Sequence, residues 1–244
     1  MPVIPDATVV EQQIIELTNE FRKTHKRGAV TTNPILDKAA ERYATYLAES
    51  GKFAHDADGR RPSERVKRAG YEYCQVAENL ASALDSRGFK SSSLALQMVE
   101  GWINSPGHRK NLLAPHVSEI GVGVARVPDQ HPKYVSVQIF ARPQSEMYSF
   151  QVSNSTNGII QYSFARETHT VRPSQAFTHS ACEPSDIKFL KSGSGSKKVR
   201  LKSTYQAEDG QIYTLRRNKD GKVTISVTMK ERLRAKSNEN ASSR

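Results

Sequence analysis

Long apolar runs are missing from this 244-residue chain. No stretch reaches the ~18 consecutive apolar residues of a membrane-spanning helix, and a mean hydropathy of -0.62 agrees that no such helix is encoded. Cysteine is scarce, with only Cys74 and Cys182, one in each half of the chain. One interdomain disulfide and two unpaired buried thiols both remain open, because pairing requires alpha carbons within about 7 Å. The start, Met1-Pro-Val-Ile-Pro-Asp, has neither a basic nor an apolar signal-peptide region, so an exported form would be a mature one with an added Met. There is no Gly-x-Ser-x-Gly and no His-Glu-x-x-His, so the common serine-hydrolase and zinc-protease signatures are absent.

Acidic residues run short only at one end. Residues 1–184 hold 21 Lys+Arg against 19 Asp+Glu, whereas residues 185–244 hold 15 against 6. The formal charge of +11 therefore belongs mostly to the C-terminal part, and nucleic acid is not the expected partner.

What is present reads as two domains and a tail: 8–143, 147–230 and 231–244. Val10, Ile14, Leu17 and Phe21 sit at spacings of three and four, which predicts a first helix over Val9–Lys26. Asn33 and Pro34 open a second helix that stops at Gly51. Short helices are expected at Pro62–Ala69 and around Val76–Ala83, and a longer one carries Leu94, Met98 and Trp102 before Pro106 and Gly107 end it. Ile120 to Val127 and Tyr134 to Phe140 then read as a hairpin, an α+β pattern.

After Pro143 short β-prone runs recur at 149–154, 159–165, 170–172, 176–180, 187–190, 199–205, 212–217 and 223–229. Asn157-Gly158, Asp209-Gly210 and Asp220-Gly221 supply turn signals, and the whole predicts a small all-β sandwich. Ser192-Gly-Ser-Gly-Ser reads as a flexible loop within it, and Glu231–Arg244 as a disordered or frayed tail. Lysines and arginines alternate with apolar residues in 197–202 and 222–230, which in a strand makes one charged, solvated face. The same residues can instead form a patch for an anionic polymer or lipid.

The most specific local motif is Gly101-Trp-Ile-Asn-Ser-Pro-Gly-His-Arg-Lys-Asn-Leu-Leu, followed by Gly121-Val-Gly-Val. Asn19-Glu-Phe-Arg22, Phe53-Ala-His55, Ala77-Glu78-Asn79-Leu80 and Gln138-Ile-Phe140 fall around it in order. Together these pieces resemble the CAP superfamily of cysteine-rich secretory, antigen 5 and pathogenesis-related 1 proteins, in its bacterial form.

The resemblance implies an α-β-α sandwich with a cleft over the sheet, an extracellular or periplasmic location, and small-ligand binding of the lipid type. It places His55 and Glu78 at two positions of a two-histidine, two-glutamate cleft able to hold zinc or another divalent cation. Alignment of His116-Val-Ser-Glu-Ile puts His116 at the second histidine, and Ser105 stands where the second glutamate is found. Two imidazoles with an open position suit zinc, and Glu78 can ligate, brace a ligand or act as base. Each residue also has a structural reading. Glu78 and Asn79 can brace their loop, and His108 is expected just past a helix C-terminus, where an imidazolium suits the dipole. Tyr43, Tyr46, Tyr71 and Tyr73 can line a groove or fill the core. His25, His131, His169 and His179 show no partner spacing.

Three functions remain open from these residues. One is an exported module that binds a small hydrophobic or anionic ligand or a divalent metal, attached through its basic β domain to a surface or partner. The second is a metal-assisted hydrolase using His55, His116 and Glu78. The third is a surface adhesion factor whose cleft has decayed, a reading that Ser105 favours.

Overall fold

The computed structural model describes residues 2–190 and 204–230. It divides into two compact units, Met1–Glu146 and Met147–Arg244.

In the first unit, α1 (Ala7–Thr24) is capped by the Asp6 side chain, which accepts from the Val9 N–H. The two-residue β1 (Thr31–Thr32) leads to α2 (Pro34–Ser50), capped by Asn33 and ended by Gly51 in the left-handed conformation. Next come α3 (Pro62–Arg68), β2 (Tyr73–Leu84), α4 (Ser91–Asn104) and α5 (Pro106–Leu112). The antiparallel pair β3 (Glu119–Val127) and β4 (Lys133–Pro143) completes a sheet of order β1-β3-β4-β2.

That sheet is apolar on both faces. One face meets α1 and α4 through Val10, Ile14, Leu94, Met98 and Trp102. The other meets α2 and α3 through Leu36, Tyr43, Leu47 and Val66. The result is a three-layer α-β-α sandwich. Helix α2 sits so close to β3 that a Cβ on Gly121 or Gly123 would lie 2.2 Å from helix backbone. The Gly-x-Gly of the sequence motif is a packing requirement.

The segment Val76–Ala83 is a strand, not the short helix its sequence suggests. It pairs with β4 residue by residue from Val76–Ala141 to Leu84–Lys133. Because both sheet faces are covered, β2 lacks the apolar–polar alternation that marks a half-exposed strand. Pairing with β4 outweighs the local helical preference of Ala, Glu and Leu.

The second unit is a pair of four-stranded sheets. One has the order β10-β9-β6-β7 and the other β12-β11-β5-β8. The strands are β5 (Tyr148–Asn154), β6 (Ile160–Phe164), β7 (Glu167–Val171), β8 (Ala176–Ala181), β9 (Asp186–Phe189), β10 (Thr204–Gln206), β11 (Gln211–Arg217) and β12 (Val223–Met229). Phe150, Val152, Tyr213 and Leu215 from one sheet share a core with Ile160, Tyr162, Phe164 and Phe189 from the other, as the alternating pattern predicts. One hairpin carries no sequence signal: β6 and β7 are joined by Ala165 and Arg166, both at positive φ, where Asn-Gly is the usual pair. The Ser192–Ser196 loop, the 197–202 stretch, most of the 199–205 run and the 231–244 tail lie outside the described residues. Neither Cys74 nor Cys182 is a free thiol.

Candidate functional site

The site is built on motif residues that do structural work behind it. Asn19 of α1 pairs through its side-chain amide with both backbone groups of Val30. Arg22, fully buried, donates to the carbonyls of Gly28, Leu112, Ala114 and Val117 and so anchors the end of α5. Trp102 Nε1 donates to Leu80 O at 2.9 Å, locking α4 onto β2. Asn79 donates to Gln138 Oε1 and to His108 O and accepts from Asn111, while Gln138 donates to Thr18. This buried network fixes α5 against β2, so residues on the two elements keep one geometry.

Glu78 is the neighbour of Asn79 on β2, and its side chain is 1% exposed. Its Oε1 lies 2.8 Å from His55 Nδ1, and its Oε2 accepts from Arg65 Nη2 at 2.6 Å. A carboxylate can only accept, so Nδ1 carries the hydrogen and Nε2 is the remaining polar atom of a half-exposed imidazole. The Glu78 hydrogen bond raises the His55 pKa above its ordinary value, outweighing partial burial.

Arg65 is the hub. Its Nη1 donates to the carbonyls of His55 and Arg60 and to Asp58 Oδ1, and its guanidinium stacks 3.4 Å above the Tyr43 ring. Tyr43 accepts at its hydroxyl from the Ala57 N–H, and the Tyr46 hydroxyl donates to Ala57 O. The loop bearing His55 is thereby pinned to α2. Two of the tyrosines expected in a groove or core hold this loop, and a third, Tyr71, hydrogen-bonds Glu119.

The other expected site residues part company. His108 is the third residue of α5, in its first turn, not past the end of a helix, because Ser105 both ends α4 and starts α5. An imidazolium there faces the wrong end of the dipole, and burial followed by the charge of His55 lowers the His108 pKa. His116 lies on the segment between α5 and β3, where its carbonyl accepts from Arg142. Among the described residues no hydrogen bond or electrostatic contact links it to His55.

The donors present do not fit a metal centre as arranged. Both Glu78 oxygens are committed, and among the described residues no group of three or more His, Cys, Asp or Glu comes together. In the second unit His169 and His179, given no role by their spacing, meet at 4.5 Å between ring centroids, and Tyr162 shares a hydrogen bond with His179 Nε2. Packing of one sheet on the other creates that contact, which no local spacing announces.

A sheet between helical layers, with the hydrogen-bonded chain Arg65–Glu78–His55 at its β2 edge, defines an α-β-α sandwich protein. The Cysteine-rich secretory protein (CAP) family profile matches residues 15–140, just over half of the chain, and the chain belongs to that family. It is 30% identical over 114 residues to the Bacillus subtilis (strain 168) protein YkwD, covering 46% of this chain and 41% of that one. It is also 30% identical over 120 residues to the membrane protein YlbC of the same strain, covering 49% and 32%. The chain therefore spans less than half the length of either relative. Among solved structures it is similar to an extracellular protein containing a SCP domain from Bacillus anthracis, with 28% identity, a TM-score of 0.46, and coverage of 56% of this chain and 41% of that chain.

Proposed function

We propose that the chain is an exported binding module: its CAP unit takes a small anionic amphiphile at the His55 cleft, and its basic C-terminal unit attaches it to an anionic surface polymer. The observation that carries the reading is the state of His55. Buried Glu78 orients the half-exposed ring and raises its pKa, so Nε2 is the polar atom left for a ligand and the imidazole takes up a proton, and with it a charge for an anion, more readily than an unpaired histidine. The same arrangement favours binding over catalysis. Glu78 is held by Arg65 and His55 together, and a carboxylate so committed is a poor general base.

Export is supported by family membership and by two cysteines that are not free thiols, as suits an oxidising compartment. Attachment is supported by the surplus of 15 Lys+Arg over 6 Asp+Glu in residues 185–244.

Oleate is the probe for the cleft. Calorimetric titration is expected to show saturable binding that His55→Ala weakens about tenfold, the loss of one charge-assisted contact. Equal affinity in wild type and variant removes the cleft as the site. For the C-terminal unit, retention on dextran sulfate should fall steeply with salt. Retention that ignores salt removes the electrostatic attachment.

A further inference from the structure

A cleft of about 390 Å³ opens between α2 and α3. Its α2 wall is a single helical face, with Ala39, Arg42, Tyr43 and Tyr46 at successive steps of three, one and three residues. Its α3 wall is Arg65, Arg68 and Ala69, again at steps of three and one, and Asp58 and Arg60 come from the loop between the helices. Four guanidinium groups thus face one carboxylate.

The balance of these charges leaves part of the lining uncommitted. Asp58 is already paired, with Arg65 at 3.0 Å and Arg60 at 3.4 Å. Arg42 and Arg68 are exposed, and neither has an ion-pair partner among the described residues. Arg65 is buried, with 8% of its side chain exposed, and its Nε is a buried donor without an acceptor. Such a donor is costly, and native structures usually satisfy it with a water or a ligand. Between the arginines the Tyr43 and Tyr46 rings are nearly parallel, tilted by 7° with centroids 6.1 Å apart; Tyr43 is buried beneath Arg65, so the partly exposed Tyr46 is the aromatic wall left to the cleft.

We propose that this α2–α3 cleft binds an oxyanion carried on a flat ring, with the charge held by Arg42 and Arg68 and the ring lying against Tyr46. Guanidinium groups recognise phosphate, sulfate and carboxylate through the same paired N–H geometry. Aromatic walls of this kind take planar groups by offset stacking. His55 does not line this cleft, but the two sites share Arg65, since that guanidinium lines the cleft and bonds Glu78 behind His55. Asp58, paired within the cleft, repels an acidic ligand from that side and directs it toward Arg42 and Arg68.

The test is calorimetric titration of the full chain with phenyl phosphate. Phenyl sulfate and benzoate identify the preferred oxyanion, and inorganic phosphate and phenol separate charge from ring. Phenyl phosphate is expected to bind at one site, with phosphate and phenol each weaker by about tenfold or more. The Arg42→Gln, Arg68→Gln double variant changes two exposed side chains, so its thermal midpoint should match wild type while its affinity for phenyl phosphate falls about tenfold. His55→Ala should leave that affinity largely intact, which separates this site from the oleate site. No binding of any of the three ring oxyanions at millimolar concentration, or equal affinity in the double variant, overturns the proposal. Inorganic phosphate binding as tightly as phenyl phosphate overturns the role given to Tyr46.

Discussion

Arg65 Nη2 approaches Glu78 Oε2 to 2.6 Å with the two side chains only 8% and 1% exposed. A pair so removed from water is costly to break from one side, because the loss of Glu78 leaves Arg65 with Asp58 as its one carboxylate and strips a buried guanidinium N–H of its acceptor. The contact also decides the chemistry of the cleft. It leaves Glu78 one oxygen for His55, which places a hydrogen on Nδ1, fixes the orientation of the ring and leaves Nε2 as its remaining polar atom.

Glu78→Ala should therefore lower unfolding free energy by roughly 3–5 kcal/mol in urea titrations. Glu78→Gln should bring the His55 pKa down, read from imidazole proton shifts. The sign follows from the raised folded value. Stabilisation by the His55–Glu78 contact is complete below the ordinary value of 6.5 and is lost as pH rises through the raised one. An unchanged His55 titration in the Gln variant contradicts the assignment of Glu78 as the cause.

Arg22 is buried among four carbonyls, so Arg22→Met should cost about 3 kcal/mol by leaving those acceptors unpaired. Arg22→Lys should recover little of it, because an ammonium cannot reproduce the fork that reaches Gly28 and Leu112 together. Chemical denaturation of the two variants gives the comparison, and full recovery in the lysine variant would show that charge alone suffices.

Three glycines separate packing from propensity. Gly121→Ala and Gly123→Ala each place a Cβ within 2.2 Å of α2 backbone and should destabilise by about 1–3 kcal/mol or more. Gly101 lies inside α4 with nothing within 4 Å of its Cβ position, so Gly101→Ala should stabilise by about 0.5–1 kcal/mol. Differential scanning calorimetry reads all three, and a tolerated alanine at Gly123 would mean that α2 rides higher on the sheet.

Beyond the short β1, the β3 edge is capped by carboxylates: Asp37 accepts from Val122 N and Glu11 from Val124 N. Burial, reinforced by Glu41 and Asp37, pushes Glu11 up to about 7 despite the Val124 bond. A raised carboxyl value means that the folded state holds the proton more tightly, so stability falls as pH rises from the ordinary 4.5 through about 7. Glu11→Gln keeps an acceptor for Val124 and should flatten the loss between about pH 5 and about pH 8, measured as the urea midpoint. An equally steep loss in the variant assigns it to another group.

Helical spacing in the sequence alone places α1, α2 and α4, because each buries one stripe, with Asp6 and Asn33 capping the first two and Pro106 following the third. The alternating runs of the second unit are legible for the same reason, as each strand has one face in the core. The motif order also identifies His55 and Glu78 as neighbours across 23 residues.

Only the tertiary structure makes 76–83 a strand, since a strand covered on both faces has no period to read. It also brings His108 into the field of His55, and it makes a cleft of Arg42, Arg65 and Arg68. Periodicity reports which side of an element is buried. Which side chains then meet across two elements depends on how those elements pack, and that is a property of the whole fold.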